Sequence, residues 1–161
     1  MNATSTAIAY GETGFYSRMI LDYLQGSNEL TPFYTYPVSA DGIKAAIEQR
    51  KLFPTDRKLL VDTLQKHYAA QSCTNQQQLN IGLLSNHNCF TITTAHQPNI
   101  FTGHLYFIYK ILHAIKLCEK LKAGMPENDF VPVYYMGSED ADLEELGHIY
   151  INGVKHEWKT N

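Results

Sequence analysis

Two short β-forming runs separated by one long amphipathic stretch constrain this chain more than any other feature. Cys89 to Ala95, CFTITTA, is rich in β-branched residues and reads as a strand. Phe130 to Met136, FVPVYYM, reads as a second strand. Between them Leu105, Ile108, Ile111, Leu112, Ile115, Cys118 and Leu121 recur at helical spacing, and Gly124 and Pro126 mark the stop. A strand, a helix of about five turns and a strand form a βαβ unit. Such a unit implies a parallel pair joined by a right-handed crossover. The expected fold class is therefore α/β with parallel strands.

The segment before Cys89 reads as helical. Phe15, Met19, Leu21 and Leu24 predict a helix over Gly14 to Leu24, stopped by Gly26-Ser27-Asn28. LTPFYTYPVS, with Pro32 and Pro37, predicts an extended connector. Ser39 or Asp41 is placed to cap a helix through about Lys51, and Thr55 or Asp56 another through about Ala70. In the latter, Leu59, Leu60, Leu64 and Tyr68 form the apolar stripe. CTNQQQLN is polar and reads as a loop or helix end. At the other end of the chain, Asn152-Gly153 between alternating β-formers predicts a two-residue hairpin. The sequence stops a few residues into the return strand, so the expectation is a fragment of a longer polypeptide. The predicted organisation is one unit over 1–161, with a helical lead-in (1–88) packed on a βαβ and hairpin portion (89–161).

Composition sets the class. The chain has 161 residues, 44% hydrophobic and 18% charged, with a formal net charge of -3, which suits a folded domain with one core. Lys and Arg are dispersed, which disfavours nucleic acid as a partner. No apolar run has membrane-spanning length, and the first residues, MNATSTAIAY, lack the pattern of a signal peptide. The expected location is cytoplasmic, with no membrane association. Cys73, Cys89 and Cys118 show no C-x-x-C spacing and read as free thiols, the latter two as small buried hydrophobes.

Parallel strands point the same way, so whatever follows each one gathers at the carboxyl edge, where open α/β sheets bind ligands. His96, Gln97, Asn99, Thr102, Gly103 and His104 follow the first strand. Gly137, Ser138, Glu139, Asp140, Asp142, Glu144 and Glu145 follow the second. The first cluster opens a helix, whose free N–H groups and dipole favour phosphate or carboxylate. Gly103 would let a ligand approach the backbone. His96 and His104 are candidate donors to phosphate, Thr102 a candidate N-cap, and Asn99 also a turn former after Pro98. In the second cluster Asp140 or Asp142 could start a helix whose first turn welcomes Glu144 and Glu145. Its carboxylates also suit an amine, ribose hydroxyls or a general base. Glu139, Asp140, Asp142 and His148 are candidate metal ligands by type, but they show no recognised spacing, and no metal is expected.

PNIFTGHLYFIYKILHAI resembles the strand-to-helix junction of class I aminoacyl-tRNA synthetases and related nucleotidyltransferases, with Pro98, Gly103 and His104 in the matching places. A closer resemblance covers nearly the whole chain. LDYLQGSNELTPFY, HQPNIFTGHLYFIYKILHAIKL and VPVYYMGSEDADLEELGHI are similar to the N-terminal part of the bacillithiol biosynthesis cysteine-adding enzyme family. That resemblance implies a Rossmann-like core, here an incomplete portion of a larger Rossmann-like domain, and ligation of cysteine to glucosaminyl-malate. It implies cysteine, glucosaminyl-malate and an adenine nucleotide (ADP or ATP) as small-molecule partners. Gln97, Asn99, Thr102 and Gly103 match the family's first motif, and Ser138, Glu139, Asp140 and Asp142 its Ser-Glu-Asp motif. The family usually has proline after Thr-Gly, where this chain has His104, so the resemblance assigns His104 no catalytic role. Glu139, Asp140 and Asp142 are the candidate catalytic residues. His96, Gln97, Asn99, Thr102, Gly103, His104 and Ser138 are the candidates for binding substrate or nucleotide. A homodimer of the full-length protein is the expected assembly. The alternative functions are a nucleotide-binding enzyme of nucleotidyltransferase type with another acceptor, and a non-catalytic module that binds a protein through its tyrosines.

Overall fold

A computed structural model of the protein describes residues 4–140 and 142–159. The chain divides into two compact units, Met1–Phe53 and Pro54–Asn161, so the division falls inside the helical lead-in.

The first unit holds α1 (Tyr10–Thr13), α2 (Arg18–Gln25) and α3 (Ala40–Lys51). α2 starts later than the apolar spacing predicts, because the Ser17 hydroxyl accepts from Ile20 N at 3.4 Å and makes Ser17 the N-cap. Gly14, at φ 71, instead closes α1 in the left-handed conformation. The expected extended connector is also corrected in its first half. Asn28–Phe33 winds into a 3-10 helix with Pro32 inside it. Proline's fixed φ suits that turn, so two prolines do not by themselves make a segment extended. Tyr34, at φ -142 and ψ 150, is extended, and bends follow at Thr35, Tyr36, Val38 and Ser39. Ser39 caps α3 by accepting from Gly42 N at 3.0 Å.

The second unit opens with α4 (Arg57–Tyr68), capped by Asp56. Next comes α5 (Asn75–Leu83), where a loop or helix end was expected. Thr74 and Gln77 form a reciprocal capping box, with Gln77 N bonded to Thr74 Oγ1 at 3.2 Å and Thr74 N to Gln77 Oε1 at 2.8 Å. A polar run rich in glutamine thus starts a helix because its first four residues satisfy each other's free donors. β1 (Cys89–His96), α6 (Leu105–Gly124) and β2 (Asp129–Met136) then build the predicted βαβ unit. The strands pair in parallel from Cys89↔Asp129 to His96↔Met136. After β2 come the single turn α7 (Leu143–Leu146) and the antiparallel hairpin β3 (His148–Ile151) and β4 (Val154–Glu157). The hairpin turns through Asn152 at φ 51 and Gly153 at φ 80, the left-handed pair that a two-residue turn requires.

Helices cover both faces of the parallel pair. Cys89 and Val131 are buried on one face with Val61 of α4 and Leu84, and Leu64, Ile81, Leu83 and Val133 pack around them. α6 lies on the other face, with Ala114, Cys118 and Leu121 buried and Phe107 edge-on to Tyr134. All three cysteines are free, and Cys89 and Cys118 are buried. Among the described residues no helix is long and apolar enough to cross a membrane.

The ladder also explains a proline inside β2. Asp129 N donates to Asn88 O and Gly137 N to His96 O, so odd-numbered residues of β2 face β1. Pro132 has the other parity, and its missing N–H removes no bond between the strands. The outward carbonyls at both ends of β1 are engaged by cations. Lys110 Nζ holds Ala95 O at 3.0 Å, and Arg57 Nη2 holds Cys89 O at 3.0 Å. Arg57 also reaches Leu84 O at 2.9 Å and His87 O at 3.2 Å, fastening α4 to the connection between α5 and β1.

Arg57→Ala should lower stability by about 2–3 kcal/mol in urea unfolding, since a charged donor to partly buried carbonyls is lost. Arg57→Lys should restore less than half, because an ammonium cannot reproduce the fork. Burial, with a smaller effect from Cys89, pushes the Cys118 thiol from 9.0 up to about 11. The fold therefore favours the protonated thiol, and this stability is complete below about pH 9 and lost as pH rises through about 11. Stability measured across that range should fall less steeply in Cys118→Ala than in the parent.

A candidate substrate site at the carboxyl edge of the parallel strands

The two polar clusters meet as the topology requires. Gly137 N donates to His96 O at 3.0 Å, and the Tyr134 hydroxyl donates to the same carbonyl at 3.1 Å. The segments leaving β1 and β2 therefore start side by side. Gln97 Nε2 then donates to Asp140 Oδ2 at 3.0 Å, a direct bond between the clusters.

The first segment is strained. Ile100–Thr102 forms a short 3-10 turn in which Phe101 has φ 45 and Thr102 φ 67. Gly103 follows at φ 60 and ψ -142, a combination that only glycine adopts at low cost. A Cβ there would stand 2.5 Å from Asn99 Oδ1. Gly103 thus serves close packing of the loop on Asn99 as well as any approach by a ligand. Thr102 is not the N-cap: its hydroxyl donates to Phe101 O, and the cap position belongs to His104. His104 makes no side-chain capping bond, so the N-terminus of the 20-residue helix α6 is left uncapped at this edge. The His104 ring instead stacks on Tyr106 and lies 3.3 Å, through Nε2, from Glu145 O.

From buried His96 to exposed Glu145 runs a hydrogen-bonded chain whose directions follow from donor and acceptor counts. The Tyr106 hydroxyl donates to Glu145 Oε1 at 3.0 Å. With its hydrogen committed, its oxygen accepts from His96 Nε2 at 2.6 Å. His96 Nδ1 is then the acceptor, receiving one amide hydrogen from Asn99 Nδ2 at 3.0 Å. The other amide hydrogen goes to Gln97 O at 3.0 Å. Burial first, and the bond to Glu145 second, push the Tyr106 phenol up, which keeps it protonated as a donor. His96 is only 7% exposed and both ring nitrogens are engaged. In this structure neither it nor Asn99 presents a free donor to phosphate; they organise the loop.

In the second segment Ser138, Glu139 and Asp140 are exposed. Glu139 accepts from the Tyr135 hydroxyl at 3.0 Å, a bond that raises the Tyr135 pKa. Asp142 Oδ1 caps α7, accepting from Glu144 N at 3.0 Å and Glu145 N at 3.2 Å, as the sequence suggested for this position. His148 packs edge-on against His104, with Nδ1 buried and without a partner. Among the described residues no group of three or more His, Cys, Asp or Glu side chains is placed to hold a metal ion. Sequence reasoning missed Tyr106 and Lys110, and saw Glu145 only as a first-turn acid. Tyr106 was hidden because it falls within the apolar stretch LYFIYKIL and its partner Glu145 lies 39 positions away.

The model of the bacillithiol biosynthesis BshC N-terminal Rossmann-like domain matches residues 1–161. The chain belongs to the BshC family. Relatives carrying the name "Putative cysteine ligase BshC" include proteins of Flavobacterium psychrophilum and Cytophaga hutchinsonii. The first is 45% identical over 95% of this chain and the second 41% over 90%. A relative from Bacillus licheniformis with the same name is 31% identical over 83% of the chain. The match spans 29%, 28% and 24% of these relatives' lengths, so this BshC domain corresponds to less than a third of each. The α/β class with its parallel pair agrees with the Rossmann-like description of the family domain. The family model is described by bacillithiol biosynthesis, and the relatives' own names describe them as cysteine ligases.

Gly103→Ala should cost about 2–4 kcal/mol in thermal or urea unfolding of the second unit, from the left-handed strain and the clash with Asn99. An unchanged midpoint would show that the loop rearranges freely.

Proposed function

We propose that this domain supplies the carboxyl-edge half of the active site of a cysteine ligase, which adds L-cysteine to glucosaminyl-malate in the cytoplasm. The observation that carries the reading is the Gln97–Asp140 bond, which joins the segment leading to the uncapped N-terminus of α6 to the segment that bears exposed carboxylates. A helix N-terminus favours an acid group. Exposed carboxylates favour an ammonium or a polyol. The pair therefore suits a molecule with both groups, such as an amino acid or an amino sugar joined to an acid. Ligation forms an amide between a carboxyl and an amine, one from each substrate, after the carboxyl is activated. ADP or ATP fits the same edge, with a phosphate at the first-turn N–H groups of α6 and ribose hydroxyls at Glu139 or Asp140. On this reading Gln97, Gly103 and Ser138 contact the ligand. Glu139 and Asp140 orient the amine, either one serving as the base, while Asp142 holds α7 in place.

Calorimetry on the full-length protein with cysteine, glucosaminyl-malate and ADP tests the reading. Micromolar to millimolar binding of at least one is expected, with a loss of about tenfold or more in Asp140→Ala, as when a charge-assisted bond of about 1.5–3 kcal/mol is removed. No binding of any of the three would overturn it.

A further inference from the structure

We propose that Tyr106 is a positioning residue for this site, acting through His96 and Asn99 to hold the strained 97–103 loop. The inference rests on the site reading above and deepens it. Phe101 and Thr102 hold positive φ, a strained conformation for residues with a Cβ, so the segment keeps its shape only if something outside it prevents relaxation. Two constraints act on Asn99. Its oxygen lies against Gly103, where no Cβ would fit, and its amide bridges His96 Nδ1 and Gln97 O.

The amide can donate to Nδ1 only while the hydrogen of the ring sits on Nε2. That hydrogen is drawn to Nε2 by the Tyr106 oxygen at 2.6 Å, whose own hydrogen is committed to Glu145. Remove the hydroxyl and the preference between the two ring nitrogens is lost. Nδ1–H would then face the Asn99 amide donor, while Gln97 O, 3.1 Å from Nδ1, becomes the alternative acceptor. Asn99 would lose one of its two anchors. The same phenol fixes the second segment, because Glu145 sits in α7 immediately after the Asp142 cap. One hydroxyl thus ties both halves of the site to the start of α6. Lys110, whose Nζ lies 5.7 Å from the Tyr106 ring centroid while bonded to Ala95 O, keeps the ring against the end of β1.

The test uses Tyr106→Phe, which keeps the ring, with Glu145→Gln and Glu145→Ala beside it. Nitrogen-15 NMR of the histidine side chains reads the His96 tautomer in this chain without ligand. Amide hydrogen exchange reads the loop at Gly103 N, which is bonded to Ile100 O at 2.7 Å. The expected result is an Nε2–H tautomer in the parent, and a shift toward Nδ1–H in Tyr106→Phe with at least tenfold faster exchange at Gly103. Glu145→Gln, whose amide oxygen can still accept from the phenol, should stay within about twofold of the parent and Glu145→Ala should not. In the full-length protein, Tyr106→Phe should raise the cysteine dissociation constant about tenfold while the unfolding midpoint changes little. An Nδ1–H tautomer in the parent, or parent-like exchange in Tyr106→Phe, overturns the proposal. Absence of cysteine, nucleotide and malyl-sugar binding in the parent, with tautomer and exchange as expected, overturns the site reading and leaves the positioning role standing.

Discussion

Parallel pairing of β1 with β2 is the constraint on which the rest of the second unit depends. It brings the ends of two strands, separated by a 20-residue helix, to one edge with their carbonyls and amides in register. His96 O shows the consequence at atomic scale, since it accepts both from Gly137 N and from the Tyr134 hydroxyl. An antiparallel pair would have put the two polar segments at opposite ends of the sheet, about 25 Å apart for eight-residue strands. No choice of side chains could then have joined Gln97 to Asp140.

The pairing also settles which residues are free to meet a ligand. Some residues that follow the strands are drawn into the framework: His96 and Asn99 into the chain that runs to Glu145, and Asp142 into the cap of α7. Ser138, Glu139 and Asp140, which lie between β2 and that cap, are exposed. The division is physical. The His96 ring nitrogens and the Asn99 amide nitrogen are satisfied inside the protein, so they hold the loop and leave recognition to exposed neighbours. A BshC family domain built this way carries a hydrogen-bonded loop beside a solvent-facing set of carboxylates.

Much of the architecture was legible in the chain itself because it rests on local or periodic signals. The βαβ unit followed from apolar spacing, the caps at Ser39, Asp56 and Asp142 from short polar side chains before helices, and the hairpin from Asn152-Gly153. Some misreadings were also local. Pro32 suggests a bar to helical winding, although its φ suits a 3-10 turn, and polar surroundings hide the Thr74 to Gln77 box. Thr102 was read as a cap because threonine before a helix usually is one; two further positive-φ residues moved the cap to His104.

The sequence by itself determined that two strands would run parallel and that two polar clusters would share an edge, because side-chain period and crossover length dictate both. Only the tertiary structure decided which members of those clusters face outward, and that Tyr106 links them. A tyrosine in an apolar helical stretch looks like packing until a histidine ten residues before it and a glutamate 39 residues after it arrive within 3.0 Å of its oxygen. Nothing in linear spacing encodes that meeting. It depends on how far α6 is set from the strand ends, and that distance is fixed by packing on both faces of the sheet.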